Sequence, residues 1–142
     1  MKIKVILCLL LFSTMNSCQI HWEKTSDWTL YGYQGSQMFK IPLDSLSSFD
    51  TLNLNQDTVT SYLTNSRILD SKDQGVWMGG YLTTCKLAGG LRKIDFSNYG
   101  NFFYDEKSKT YYQLSASKSD AWNSYLQNCL MTLARKRTAN AH

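Results

Sequence analysis

Histidine is nearly missing from this 142-residue chain: there are two, His21 and His142, one close to each end. A histidine base must be fixed beside its nucleophile, so Ser–His or Cys–His catalysis is not expected here. Zinc sites need His and Cys clustered at ligand spacing, and the sequence has no such cluster. Phosphate-cradling loops are also lacking, because neither Gly79-Gly80 nor Gly89-Gly90 leads into Lys-Ser/Thr. Ser115-Ala116-Ser117-Lys118 spells S-x-x-K, but the further motifs and length of penicillin-binding enzymes are absent, so a helix start is the expected role. The carboxylate pairs Asp105-Glu106 and Asp70/Asp73 lie in lysine- and serine-rich turns, where solvated charge is the simpler reading. The sequence therefore predicts no enzyme activity, no cofactor and no metal.

Proline is limited to Pro42, while aromatic residues make up 13% of the chain. That combination excludes a proline-rich disordered tail and favours an ordered, sheet-rich domain. The formal net charge of +4 comes without a basic stripe, which speaks against nucleic-acid binding. No Asn-x-Ser/Thr acceptor occurs, and no internal repeat is visible.

Long apolar runs are equally scarce. Only residues 5–12 are apolar without interruption, far short of the roughly 20 residues a bilayer-spanning helix needs. Lys2 and Lys4 precede this run, and a polar step over residues 13–17 leads to Cys18. The pattern is that of an export leader. An ordinary secretory cut before Cys18 would place Met15 where a small side chain is preferred. Lipoprotein processing chiefly needs a small residue before the cysteine, and Ser17 supplies it.

The stretch resembles a bacterial lipoprotein signal, and its relaxed Ser-Cys box is similar to those of Bacteroidetes-type envelope lipoproteins. Met15 and Asn16 depart from the common Leu-Ala-Gly-Cys box. The resemblance covers the leader alone. It implies that Cys18 becomes the lipid-bearing first residue, with acyl chains such as palmitate. Several chains hold a protein firmly, where one is marginal. Gln19 at the next position fits an outer-membrane, periplasm-facing location. Plain secretion with an unlipidated Cys18 is the alternative.

The expected organisation is a signal peptide over 1–17, a tether over 18–26, one domain over 27–138 and a tail over 139–142. Without the leader, 13 basic and 11 acidic residues remain, a net charge of +2 after Lys2 and Lys4 are removed. Residues 28–33 alternate as a strand and turn at Gly35-Ser36 into a second strand over 38–43, forming an N-terminal hairpin. The next stretch is ambiguous, because Leu43, Leu46, Phe49 and Leu52 recur every three residues. Asn55 or Asp57 caps a helix running to about Leu69.

Four strands follow as a meander, over 76–87, 91–97, 102–104 and 111–114, with turns at Gly89-Gly90 and Asn98-Tyr99-Gly100. Gly79-Gly80 inside the first of them suggests a bulge or a close backbone approach. A helix over 119–136 places Trp122, Tyr125, Leu126, Cys129 and Leu133 on one stripe, which must be buried. The fold class is α+β: an antiparallel sheet, meander plus N-terminal hairpin, with one or two helices on one face.

Cys8 falls in the leader and Cys18 is taken by lipid, which leaves Cys85 and Cys129 as the pair for a disulfide. Two buried free thiols are the alternative. For a partner surface, Tyr99, Tyr104 and Tyr111 with Arg92 and Lys93 are the candidates, since Tyr and Arg are favoured anchors. Cross-strand aromatic pairing is the alternative role for the tyrosines. The Arg135-Lys136-Arg137 run complements the carboxyl end of a helix dipole. The function expected is that of a membrane-tethered, non-enzymatic periplasmic binding protein, an immunity-type protein that neutralises a toxin. A structural accessory lipoprotein of an envelope secretion or motility machine is the alternative. Its partners would be a protein and, through the lipid, a membrane.

Overall fold

The computed structural model describes residues 22–33, 35–70, 79–98 and 101–140. The sequence builds one antiparallel sheet with helices on it. Its seven strands are β1 (Ser26–Tyr31), β2 (Thr51–Asn53), β3 (Arg67–Ile68), β4 (Gly80–Leu87), β5 (Gly90–Ser97), β6 (Phe102–Asp105) and β7 (Thr110–Gln113). Their order across the sheet is β2-β1-β4-β5-β6-β7-β3. Strands β4 to β7 are the expected meander, paired in sequence order. Gly90 opens β5 at φ 102°, a value that only glycine adopts cheaply, and so closes the first hairpin.

Two α-helices accompany the sheet, α1 (Gln56–Leu63) and α2 (Ala116–Ala139). Asn55 caps α1, its side chain accepting from the Thr58 amide at 2.9 Å. The helix ends at Leu63, earlier than expected, because Asn65 turns to φ 67° and the chain enters β3 along β7. Helix α2 begins at Ala116, three residues ahead of the reading from sequence, with Ser115 as its N-cap. Lys118 of the S-x-x-K stretch donates from Nζ to the Ser61 and Thr64 carbonyls at the end of α1. It thereby satisfies acceptors that a helix C-terminus leaves open.

The N-terminal hairpin has a different second strand from the one expected. Strand β1 pairs with β2 on one side and β4 on the other. Residues 38–43 are not a strand; Met38–Lys40 and Leu43–Ser48 form short 3-10 turns. The threefold spacing of Leu43, Leu46 and Phe49 is the period of a 3-10 helix, three residues per turn. The domain also starts earlier than the tether assigned to 18–26 allowed. Trp22 and Thr25 are buried, and Thr25 Oγ1 accepts from Trp28 Nε1 at 3.0 Å while donating to the Trp22 carbonyl at 2.6 Å.

The main core lies between the sheet and the helices. Trp28, Leu30, Ile94, Phe96, Phe103, Tyr112, Val59, Leu63, Trp122 and Leu126 all belong to it. Aromatic rings dominate: Phe96 meets Trp122 at 4.9 Å, Phe103 stacks on Tyr112 at 5.0 Å, and Trp22 meets Phe103 edge-on at 5.2 Å. Each such pair contributes about 0.5–1.5 kcal/mol beyond its area burial. Trp122, Leu126, Leu130 and Leu133 are the buried positions of α2. Trp122, Leu126 and Leu133 are from the predicted stripe, Tyr125 and Cys129 are half-buried at its edge, and Leu130 joins it.

Candidate functional site

The other face of the sheet is not bare. Successive side chains of a strand point to opposite faces, so Arg92, Ile94 and Phe96 go to the helix side and Lys93 and Asp95 to the opposite side. There the strap of 3-10 turns over residues 38–48 crosses the meander. Tyr31, Leu46 and Leu82 form a small second cluster beneath it, with Tyr33, Ile41 and Phe49 packed against it. The strap approaches at Gly80, which forms a bridge with Gly35. A β-carbon on Gly80 would lie 2.0 Å from the Phe96 carbonyl oxygen and 2.5 Å from Met38 Cε. The Gly79-Gly80 signal therefore marks a close approach by the chain itself.

Beneath the strap is a buried charged cluster. The side chains of Lys93 and Asp95 are both 0% exposed. Lys93 Nζ donates to the Met38 carbonyl at 2.7 Å and lies 2.9 Å from Glu106 Oε2 and 3.5 Å from Asp95 Oδ2. The Glu106 contact is an ion pair off the hydrogen-bond direction, and neither Asp95 oxygen has a hydrogen-bond partner. Burial pushes the Asp95 carboxyl up to about 7, with Glu106 adding to the rise and Lys93 opposing it. A fully buried carboxyl whose cation stands 3.5 Å away, outside good hydrogen-bond geometry, is pushed toward its neutral form.

Aromatic rings stand over this cluster. Tyr104 and Tyr111 pair across β6 and β7 with centroids 4.4 Å apart, and Phe39 of the strap meets Tyr104 edge-on at 5.6 Å. Both phenols are raised, chiefly by desolvation; Tyr111 adds next for Tyr104, and the Asp95 charge contributes to each.

The expected partner patch is thus divided. Tyr104 and Tyr111 come together, half-buried, and Tyr99 lies outside the described residues. Lys93 is under the strap and no surface anchor. Arg92 points to the helix face, where its Nη1 donates to Asp105 Oδ2 at 2.6 Å. Asp105 is fully buried rather than solvated, and also accepts from Ser108 Oγ at 2.6 Å and from the Lys107 amide at 3.0 Å. Asp73 and Cys18 lie outside the described residues.

Cys85 and Cys129 both carry free thiols, so the bridge weighed from sequence is not formed in this structure. Burial pushes the Cys85 thiol up to about 12, with Asp105 adding and Arg92 opposing. Desolvation likewise raises Cys129, against a hydrogen bond with Tyr125. Thiols held protonated in this way are poor nucleophiles.

Sequence reading missed Asp95 and took Glu106, of the Asp105-Glu106 pair, for solvated charge, whereas it is half-buried against Lys93. The available signal was Lys93 and Asp95 two apart on one strand, opposite charges on one face. Among the described residues, no three His, Cys, Asp or Glu side chains gather as a metal site, and no helix is long and apolar enough to cross a membrane. Among the described residues, open grooves lie at two places. One of about 380 Å³ runs between α2 and the β1–β2 end, past Asp50, Leu133 and Arg137; another of about 280 Å³ lies by Arg67, Asn101 and Gln113. No protein-family model matches this chain, nor does any curated protein or solved structure.

Proposed function

We propose that this protein is a non-enzymatic binding module tethered to the periplasmic side of the cell envelope, an immunity-type protein that blocks a toxin arriving from another cell. The observation that carries this reading is the leader ending at Ser17-Cys18 ahead of one small domain. The domain's internal chemistry supports it. Lys93, Asp95 and Glu106 engage one another under the strap, and Arg92 engages Asp105. What the module offers a partner is the rim of the strap face: the Tyr104–Tyr111 pair, Phe39 and exposed Leu91. Tyrosines present large, rigid, amphipathic area, which suits them as interface anchors.

Gene neighbourhood and co-purification test the reading. An immunity protein binds one toxin encoded beside it and protects cells that produce it. Deleting the gene should sensitise cells to that toxin, and wild-type protein should restore protection. Co-purification with several envelope proteins and unchanged toxin sensitivity would instead assign an accessory role in a secretion or motility machine.

A further inference from the structure

The charged cluster under the strap contains the three groups needed to join an amine to an acid. Lys93 supplies the amine, Asp95 the carboxyl carbon, and Glu106 a second carboxyl in contact with the amine. Residues two apart on a strand are separated by about 6.7 Å along it, a span that a lysine side chain covers easily. Lys93 Nζ lies 3.5 Å from Asp95 Oδ2, so the amine is already held beside the carboxyl group whose carbon it would attack. Water is excluded, since both reacting side chains are fully buried. Glu106, 34% exposed, marks the side that opens to solvent.

We propose that Lys93 and Asp95 condense to a side-chain amide in the folded protein, with Glu106 moving the protons. Glu106 takes a proton from the Lys93 ammonium, and the freed Nζ attacks Cγ of protonated Asp95. The Nζ–Cγ bond forms as the Cγ–O bond to the hydroxyl breaks. Glu106 delivers its proton to the departing hydroxyl, which leaves as water, and collects the second proton from Nζ before releasing it to solvent. Nothing is oxidised or reduced, and the products besides the amide are one water and the proton that Glu106 passes to solvent. Burial favours this step, because an ammonium and a carboxylate are costly to hold in an apolar site and a neutral amide is not. Fixed proximity supplies the effective concentration that the same groups lack in water. The product suits the pocket. The amide N–H remains to donate to the Met38 carbonyl, and the two unpartnered Asp95 oxygens become one carbonyl oxygen.

The test is peptide mapping of the full chain, purified folded, then denatured and digested with trypsin. In the wild type, residues 93–107 should appear as one peptide uncut after Lys93, lighter by one water, with fragment ions joining Lys93 to Asp95. The Lys93 amine should then resist acetylation. Lys93→Arg should give a cut at position 93 and full mass. Glu106→Gln should slow bond formation at least tenfold in a time course after refolding. Asp95→Asn, if it closes the same bond, loses ammonia instead of water. Wild-type protein with its Cys85 shielded from alkylation, and so folded, yet cut after Lys93 with full mass, would overturn the proposal. A peptide lighter by one water that is still cut after Lys93 would also overturn it, since that marks a succinimide at Asp95.

Discussion

The two faces of the sheet are built by different means. On the helix face, Trp22, Trp28, Phe96, Phe103 and Trp122 pack ring on ring beneath α1 and α2. Its main ion pair, Arg92 with Asp105, sits at the margin with its carboxylate fully bonded. On the strap face, the apolar cluster is small, and the strap is fastened by Lys93 donating to the Met38 carbonyl above two carboxyl groups. The first face is stabilised mainly by burial, which is non-directional and changes little around neutral pH. The second depends on protonation and on a few contacts that a single substitution removes. The helix face is where the fold is made. The strap face carries the unusual chemistry and borders the Tyr104–Tyr111 pair and Phe39.

That contrast is open to test. The largest effects are expected from one large truncation on each face. Trp122→Ala should lose about 3–5 kcal/mol, seen as a lower urea midpoint, with a loss that stays the same across neutral pH. Lys93→Ala cannot form the proposed amide, leaves Asp95 and Glu106 as carboxyl groups with no cation beside them, and should also cost about 3–5 kcal/mol, but with a marked pH dependence. A carboxyl raised in the folded state binds its proton more tightly there than in the unfolded chain. The Asp95 share of the variant's instability is therefore absent below the ordinary value of 3.8, grows as pH rises above it, and levels off once the group ionises in the folded variant as well. Losing Lys93, which opposes the rise, widens that window. Equal pH profiles for the two variants would erase the distinction between the faces.

Gly80→Ala probes the strap contact itself. The added methyl meets the Phe96 carbonyl and Met38 Cε, so a loss of about 1–3 kcal/mol is expected in the same urea titration. Removal of the α1 cap by Asn55→Ala should cost about 1 kcal/mol. The Cys85 thiol has a pH signature of its own. As an acid raised from 9.0 to about 12, it should lower stability as pH climbs between those values. Cys85→Ala should make that slope shallower, the raised tyrosines and Cys129 supplying the remainder, and native Cys85 should resist iodoacetamide at neutral pH.

Much of this architecture was legible in the residues. The glycine turn at Gly89-Gly90 and the alternation through β4 to β7 gave the meander, and the stripe from Trp122 to Leu133 placed the helix on it. The strap was harder to read. Leu43, Leu46 and Phe49 show a period of three that fits neither an α-helix nor a strand, and Met38 to Leu43 alternate as a strand would. Lys93 and Asp95 look like the solvated side of a meander strand until another segment is known to cross above them. Nothing local to residues 93–106 announces that Met38, more than fifty positions earlier in the chain, covers them. Trp22 was lost to the tether because its partners, Phe103 and Tyr112, lie still farther along the chain.

Both faces acquire a biological meaning only if the domain is held where a partner meets it. Intact mass and membrane fractionation of the mature protein, beside the Cys18→Ala variant, test that most directly. The wild type should begin at Cys18, carry diacylglyceryl and acyl additions, and sediment with the membranes, while Cys18→Ala should not. A mature wild-type protein of unmodified mass in the soluble fraction would contradict the tethered reading.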